Sequence, residues 1–132
     1  MLIGLGMDLA AVSHWQAALA NPATVAIEGT FTAAERAYAH STAGAPAEHL
    51  AARFAAKEAF IKALGGARRP QPPLTARLDP RTVEVVRDPH GRPALALHGE
   101  AKAIADALGV RRTWVSLTHT EGTAGAVVAL EG

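Results

Sequence analysis

Two hydrophobic periodicities divide this chain. Leu2-Ile3-Gly4-Leu5-Gly6-Met7-Asp8-Leu9 is a short apolar strand closing on a carboxylate, and its two glycines alternate with apolar residues. Glycine at that spacing predicts a strand approached closely by another backbone. From Ala47 to Leu64 neither Gly nor Pro interrupts a run of good or adequate helix formers, which predicts a long central helix. At about 100° per residue, Leu50, Phe54, Phe60, Ile61 and Leu64 of that helix fall within an arc of about 120°. Lys57 projects from inside the arc. A cation on a core-facing side needs a partner, because burying an unpaired charge is costly.

The remaining elements are shorter. Val12 to Ala20 reads as a first helix ended by Asn21-Pro22. Thr32-Ala33-Ala34-Glu35 is a capping box preceded by Phe31, opening a helix to about His40. Ser41 to Pro46 is a loop, and Gly65-Gly66 offers a left-handed stop for the central helix. Ala67 to Pro80, with four prolines and three arginines, predicts an irregular surface loop. Thr82–Arg87 and Pro93–Leu97 are strands around the turn Asp88-Pro89-His90-Gly91. Gly99 to Leu108 is helical and stops at Gly109; Trp114–Thr118 and Gly125–Leu130 are strands joined by a turn over His119–Thr123. Helices mixed with mostly hairpin-connected strands predict an α+β fold. A single domain over residues 1–132 is the expected organisation.

Composition narrows the function classes. There is no cysteine, which excludes disulfides, thiolate metal sites and a Cys nucleophile. No apolar run reaches a membrane-spanning length and the N-terminus lacks the pattern of a signal peptide, so a cytoplasmic protein without a membrane association is expected. The net charge of +1 argues against a general nucleic-acid binder. Charge is unevenly placed: residues 53–92 hold nine Lys/Arg against four Asp/Glu, and the rest hold four against eight. A basic middle suits phosphate groups or an acidic partner, and equally a solvated face.

The candidate chemistry centres on carboxylates. Asp8 ends an apolar strand, where it either caps the following turn or joins a site. Glu58 and Lys62 stand four apart and share one side of the central helix, as an ordinary surface pair or as part of that site. Two carboxylates from separate elements can hold one Mg²⁺, with water and substrate phosphate oxygens completing its octahedron. Lys62 could then neutralise a phosphate, with Arg53 and Lys57 adding anion-binding capacity. His119, just past a strand, is either a hydrogen-bonded structural residue or a site residue. Ser41 and Ser116 lack a nucleophile context, and Gly4-Leu5-Gly6 is too short for a dinucleotide fingerprint.

Four stretches together resemble the holo-acyl-carrier-protein synthase type of 4′-phosphopantetheinyl transferase. They are Gly4-Leu5-Gly6-Met7-Asp8-Leu9, Phe31-Thr32-Ala33-Ala34-Glu35, the run from Leu50 to Gly65 that contains Arg53-Phe54-Ala55-Ala56-Lys57-Glu58-Ala59-Phe60-Ile61-Lys62, and Val115-Ser116-Leu117-Thr118-His119-Thr120. The resemblance spans essentially the whole chain. It implies a small fold with a long central helix packed on a mostly antiparallel sheet. It implies transfer of the phosphopantetheine arm of coenzyme A to a serine of an acyl carrier protein, with release of 3′,5′-ADP. By the same resemblance, Asp8 and Glu58 would bind Mg²⁺, and Asp8, Glu58 and Lys62 would be catalytic. Arg53, Lys57, Lys62, Gly65 and His119 would lie in the coenzyme A site, His119 from a neighbouring subunit of a homotrimer. Glu58, directly or through a bound water, is the first candidate for the base that takes the serine proton.

Two segments depart from the family pattern. Leu9-Ala10-Ala11-Val12-Ser13-His14-Trp15 has no Lys or Arg where the family often carries basic residues that dock the acidic carrier. After Gly65 the chain continues Gly66-Ala67-Arg68-Arg69-Pro70 in place of the family's common Thr-Gly. The alternatives to the transferase are a non-catalytic coenzyme A or carrier-binding module of the same fold, and another Mg²⁺-dependent phosphotransfer enzyme. The carrier served would belong to fatty acid or polyketide synthesis.

Overall fold

The computed structural model describes residues 1–74 and 77–132; Thr75 and Ala76, within the loop expected over Ala67–Pro80, lie outside the described residues. The chain runs β1 (Leu2–Ala11), α1 (Val12–Ala20), α2 (Ala26–Thr30), α3 (Ala33–Ser41) and α4 (Pro46–Ala67), then a 3₁₀ turn (Pro80–Thr82), β2 (Val83–Arg87), β3 (Pro93–Leu97), α5 (Gly99–Ala107), β4 (Arg112–Thr120) and β5 (Thr123–Glu131). Two antiparallel sheets form, one in the order β1-β5-β4 and one pairing β2 with β3. The expected α+β architecture holds, with α4 laid across the three-stranded sheet.

Small residues decide how closely that helix lies. Ala51, Ala55, Ala59 and Ala63 of α4 are fully buried, as is Ala124 of β5. A Cβ added to Gly6 would stand 1.9 Å from the Ala59 carbonyl oxygen, and one on Gly4 would stand 2.3 Å from that of Ala63. The glycines therefore serve the close backbone approach that their alternation predicted. Larger apolar side chains fill the flanks of the same core: Leu50, Phe60, Leu64, Phe31, Val128 and Leu130 are all fully buried. Trp15 of α1 joins them, stacking edge-on against Phe31 with ring centroids 4.9 Å apart.

The arc predicted for α4 divides in two. Leu50, Phe60 and Leu64 are core, whereas Phe54 and Ile61 are only half-buried, on a separate stripe with Glu58 and Gly65. The helix is covered on nearly every side, so its apolar pattern is broader than one stripe.

Several boundaries differ from the sequence reading. The stop expected at Gly65-Gly66 is not used: α4 continues to Ala67 and is capped by Arg68 in right-handed conformation, φ −81° and ψ −8°. Pro70 supplies the physical reason, since the residue before a proline is pushed out of helical geometry. The turn expected over His119–Thr123 is tighter, because His119 and Thr120 belong to β4 and Thr123 to β5. Glu121 (φ 43°) and Gly122 (φ 79°) alone make the hairpin, in the left-handed pair that suits twisted strands. The helix α2 has only five residues, too few to carry a readable period. The capping box formed as expected: Thr32 Oγ1 accepts from Glu35 N–H at 3.1 Å, and Glu35 Oε1 accepts from Thr32 N–H at 2.9 Å.

Gly6→Ala tests the contact that seats α4. A backbone carbonyl cannot swing aside as a side chain can, so the variant is expected to lose about 3 kcal/mol or more of stability, or not to fold. Urea unfolding with wild-type-like stability would show that the helix is not held by this approach.

Candidate active site

The close seating of α4 brings the end of β1 to one face of the helix. Asp8 pairs in register with Ala126, on the sheet face that packs against α4. Its Oδ1 accepts from Lys62 Nζ at 2.9 Å, and Lys62 also donates to the Met7 carbonyl at 3.0 Å. The Lys62 side chain remains 57 % exposed and that of Asp8 18 %. Glu58 stands one turn before Lys62 on α4 and faces a cleft of about 640 Å³. That volume lies within the range of ligand pockets. Phe54, Ile61, Leu74, Leu78 and Pro80 supply its apolar walls, while Lys57, Glu58, Arg77 and Asp79 also border it. Asp79 accepts from the Arg81 guanidinium and backbone, which hold its carboxyl below the usual range.

Asp8 of β1 and Lys62 of α4 thus meet, and Glu58 lies one helical turn before Lys62 on the same side of the helix. Among the described residues no group of three or more His, Asp or Glu gathers as a metal cage. Two carboxylates are nevertheless the donor set Mg²⁺ uses when substrate phosphates provide further oxygens, and Asp8 and Glu58 have that donor chemistry.

The other expected site residues separate. Lys57 does not serve as a free anion-binding group. It is 1 % exposed, and its Nζ donates to Glu35 Oε1 at 2.8 Å, Pro80 O at 3.0 Å and Val83 O at 2.7 Å. An ammonium has three N–H bonds, and here all three are used. Burial pulls Lys57 below the usual lysine range, and the Glu35 carboxylate offsets part of that.

Arg53 is likewise buried, 2 % exposed, with its guanidinium carbon 4.3 Å from the Tyr38 ring centre and Nη1 donating to the His49 carbonyl at 3.3 Å. Desolvation lowers its pKa, against the opposing influence of Tyr38 and Glu35. Its Nε is buried without an acceptor among the described residues. Arg87 approaches the same Tyr38 ring at 4.8 Å, making a cationic cluster apart from the Glu58 cleft. Gly65 is half-buried at the end of the Glu58 stripe.

His119 sits at the other end of the helix. Its side chain is 57 % exposed, with Nδ1 3.7 Å from Glu48 Oε2 in the first turn of α4. Ten residues of helix, about 15 Å, separate Glu48 from Glu58, so within one chain His119 does not join Glu58.

The sequence reading missed the cleft's second wall, Asp79 and Pro80, and Glu35 as the partner of Lys57. The capping box signalled Glu35, but only as a local helix start.

The chain is similar to known proteins over nearly its whole length. The model of the 4′-phosphopantetheinyl transferase superfamily matches residues 4–127. The holo-[acyl-carrier-protein] synthase of Mycobacterium tuberculosis H37Rv is 44 % identical over 130 residues, covering 98 % of this chain and 97 % of that protein. Among solved structures, the acyl carrier protein synthase of Chronobacterium ammoniagenes in complex with coenzyme A aligns with a TM-score of 0.84 at 35 % identity, covering 97 % of this chain and 96 % of the other. The acyl carrier protein synthase of M. tuberculosis aligns with a TM-score of 0.74 at 41 % identity, over 99 % of this chain and 98 % of the other.

An exposed ion pair such as Asp8–Lys62 adds little to folding. Lys62→Ala is therefore expected to shift unfolding free energy by less than about 1 kcal/mol, measured by chemical denaturation. A loss comparable to that of a core truncation would mean that Lys62 is structural.

Proposed function

This chain belongs to the 4′-phosphopantetheinyl transferase superfamily, and we infer that it moves the phosphopantetheine arm of coenzyme A onto a serine of an apo acyl carrier protein. The observation that carries this reading is the Asp8–Lys62 ion pair one helical turn from Glu58, whose carboxylate lines the cleft. In the transfer the serine oxygen forms a bond to the β-phosphorus of coenzyme A. The bond from that phosphorus to the bridging oxygen breaks, and 3′,5′-ADP leaves. The nucleophile's proton goes to a base, and the leaving phosphate gains charge.

Phosphoryl chemistry of this kind asks for positioning and electrostatic stabilisation more than for covalent help. Lys62 is suited to the leaving side. Its ammonium is held near Asp8 by an exposed bond of little net strength, so it can exchange that partner for a phosphate oxygen. Glu58, a carboxylate at the cleft, takes the serine proton directly or through a bound water. Asp8 and Glu58 would hold Mg²⁺, whose charge would neutralise pyrophosphate oxygens. The apolar walls formed by Phe54, Ile61 and Leu74 suit the uncharged pantetheine arm.

A homotrimer completes the proposal. On the sheet face turned away from α4, Leu5, Met7 and Leu9 of β1 lie in register with Ala129, Val127 and Gly125 of β5, and those with Trp114, Ser116 and Thr118 of β4. Leu5, Met7, Leu9 and Trp114 are all more than half exposed. A contiguous apolar face of this kind marks an interaction surface. Packing copies through it would allow His119 to reach a neighbour's coenzyme A, since it does not reach Glu58 in its own chain. No helix among the described residues is long and apolar enough to cross a membrane, and a cytoplasmic location fits the carrier substrate.

Mass spectrometry of apo carrier protein incubated with coenzyme A, Mg²⁺ and this protein is expected to show the addition of one phosphopantetheine. Chelation should abolish the gain, and Glu58→Ala should slow it by about a hundredfold or more. Coenzyme A binding without any gain on several carriers would instead identify a binding module. Met7→Glu is expected to convert the trimer to monomers in sedimentation analysis and to lower transfer with it. A wild-type protein that sediments as a monomer would defeat the trimer.

A further inference from the structure

The second sheet, β2–β3, shares no ladder with β1-β5-β4 among the described residues. Its position against α4 comes from the packing of Val83 and Val85 into the core and from polar cross-links. Lys57 supplies one. Each of its three acceptors belongs to a different segment: Glu35 to α3, Pro80 to the start of the 3₁₀ turn, and Val83 to the start of β2. Glu35 extends the link, its Oε2 accepting from Val85 N–H at 2.9 Å and its Oε1 from Thr32 N–H at 2.9 Å. Glu84, on the same strand, accepts from Thr32 Oγ1 at 2.6 Å and contacts His98 Nε2 at 3.0 Å. Helices α3 and α4, the 3₁₀ turn and β2 are thus joined through one buried ammonium.

The joined segments include the wall of the cleft. Asp79 and Pro80 border it together with Phe54, Glu58 and Ile61 of α4. Lys57 and Glu58 are adjacent, so about 100° of helix separates the side chain that points inward from the one that faces the cleft. The pair is poorly explained as a source of stability, because a buried ion pair gains little over apolar groups of similar size. Its two carbonyl acceptors do something apolar groups cannot: they fix a distance between α4 and the opposing wall.

We propose that Lys57, held by Glu35, is a positioning residue that sets the width of the cleft between α4 and the Asp79–Val83 segment, and thereby the fit of coenzyme A beside Glu58. The substrate named here rests on the transferase reading above; the distance fixed by Lys57 does not.

The test uses the double variant Lys57→Met with Glu35→Gln, which removes both charges at nearly constant volume and leaves neither ion unpaired. The expected result is a folded protein whose KM for coenzyme A rises about tenfold while kcat and the KM for the carrier stay within about threefold. Hydrogen exchange at the amides of Val83 to Val86 should accelerate in the same variant. A folded variant with unchanged KM for coenzyme A overturns the proposal, and so does a double variant that fails to fold, since the pair would then be a stability element. A wild-type protein with no transfer activity would sink the transferase reading alone. The exchange measurement would still decide whether Lys57 holds the wall, because unchanged protection at Val83–Val86 means that it does not.

Discussion

The seating of α4 on β1 is the contact on which the rest of this structure depends. At Gly4 and Gly6 the two backbones come so close that no side chain fits between them. Alanines on the helix and on β5 complete the approach. Two consequences follow from one constraint. The core is shallow beneath α4, so the large side chains Phe31, Phe60, Leu50 and Leu64 lie to its flanks. The end of β1 is also drawn within reach of the helix, and Lys62 Nζ meets both Asp8 and the Met7 carbonyl. With bulkier residues at the contact, β1 and α4 could still pack, but the carboxylate of one and the ammonium of the other would stand apart.

Two lysines five residues apart on the same helix illustrate how burial assigns roles. Lys57 is enclosed, and every N–H it owns is committed to Glu35, Pro80 or Val83. An enclosed cation with saturated donors holds architecture and does not bind ligand, because releasing any of its partners would leave a buried polar group unpaired. Lys62 is more than half exposed and bound to a partner that water can replace. Its bond is weak for the same reason that it is available. Residue type alone does not separate the two; the surroundings do.

The sequence made some of this legible. Period-two alternation with glycine at every other position identified both β1 and the backbone approach, because a side-chain rule and a steric rule coincide there. The Thr32–Glu35 box was readable because its chemistry is local. Lys57 could be marked as needing a partner, but Glu35 could not be named, since how α3 lies across α4 is a matter of tertiary packing over 22 residues of separation. Gly65-Gly66 misled because a glycine pair signals a helix end only when the chain must turn there, and Pro70 sets the end further on. The cleft's second wall was illegible for a related reason: Asp79 and Pro80 lie in a proline-rich loop with no period, and their place is fixed by a lysine more than twenty residues earlier.

The same three-stranded sheet must satisfy two different demands, and its alternation divides them. One face carries Gly4, Gly6, Ala124, Ala126 and Val128 and is sealed by α4. The other carries Leu5, Met7, Leu9, Trp114 and Val127, too apolar to be an ordinary solvated face of an antiparallel sheet. A one-residue slip of β1 against β5 would exchange these sets, placing Leu5 and Met7 where the helix needs glycine and turning Asp8 away from Lys62. Register in this sheet therefore fixes the helix contact, the position of Asp8 and the apolar face together. For that reason a substitution on the outer face that preserves register can alter assembly while leaving the Asp8–Lys62 pair intact.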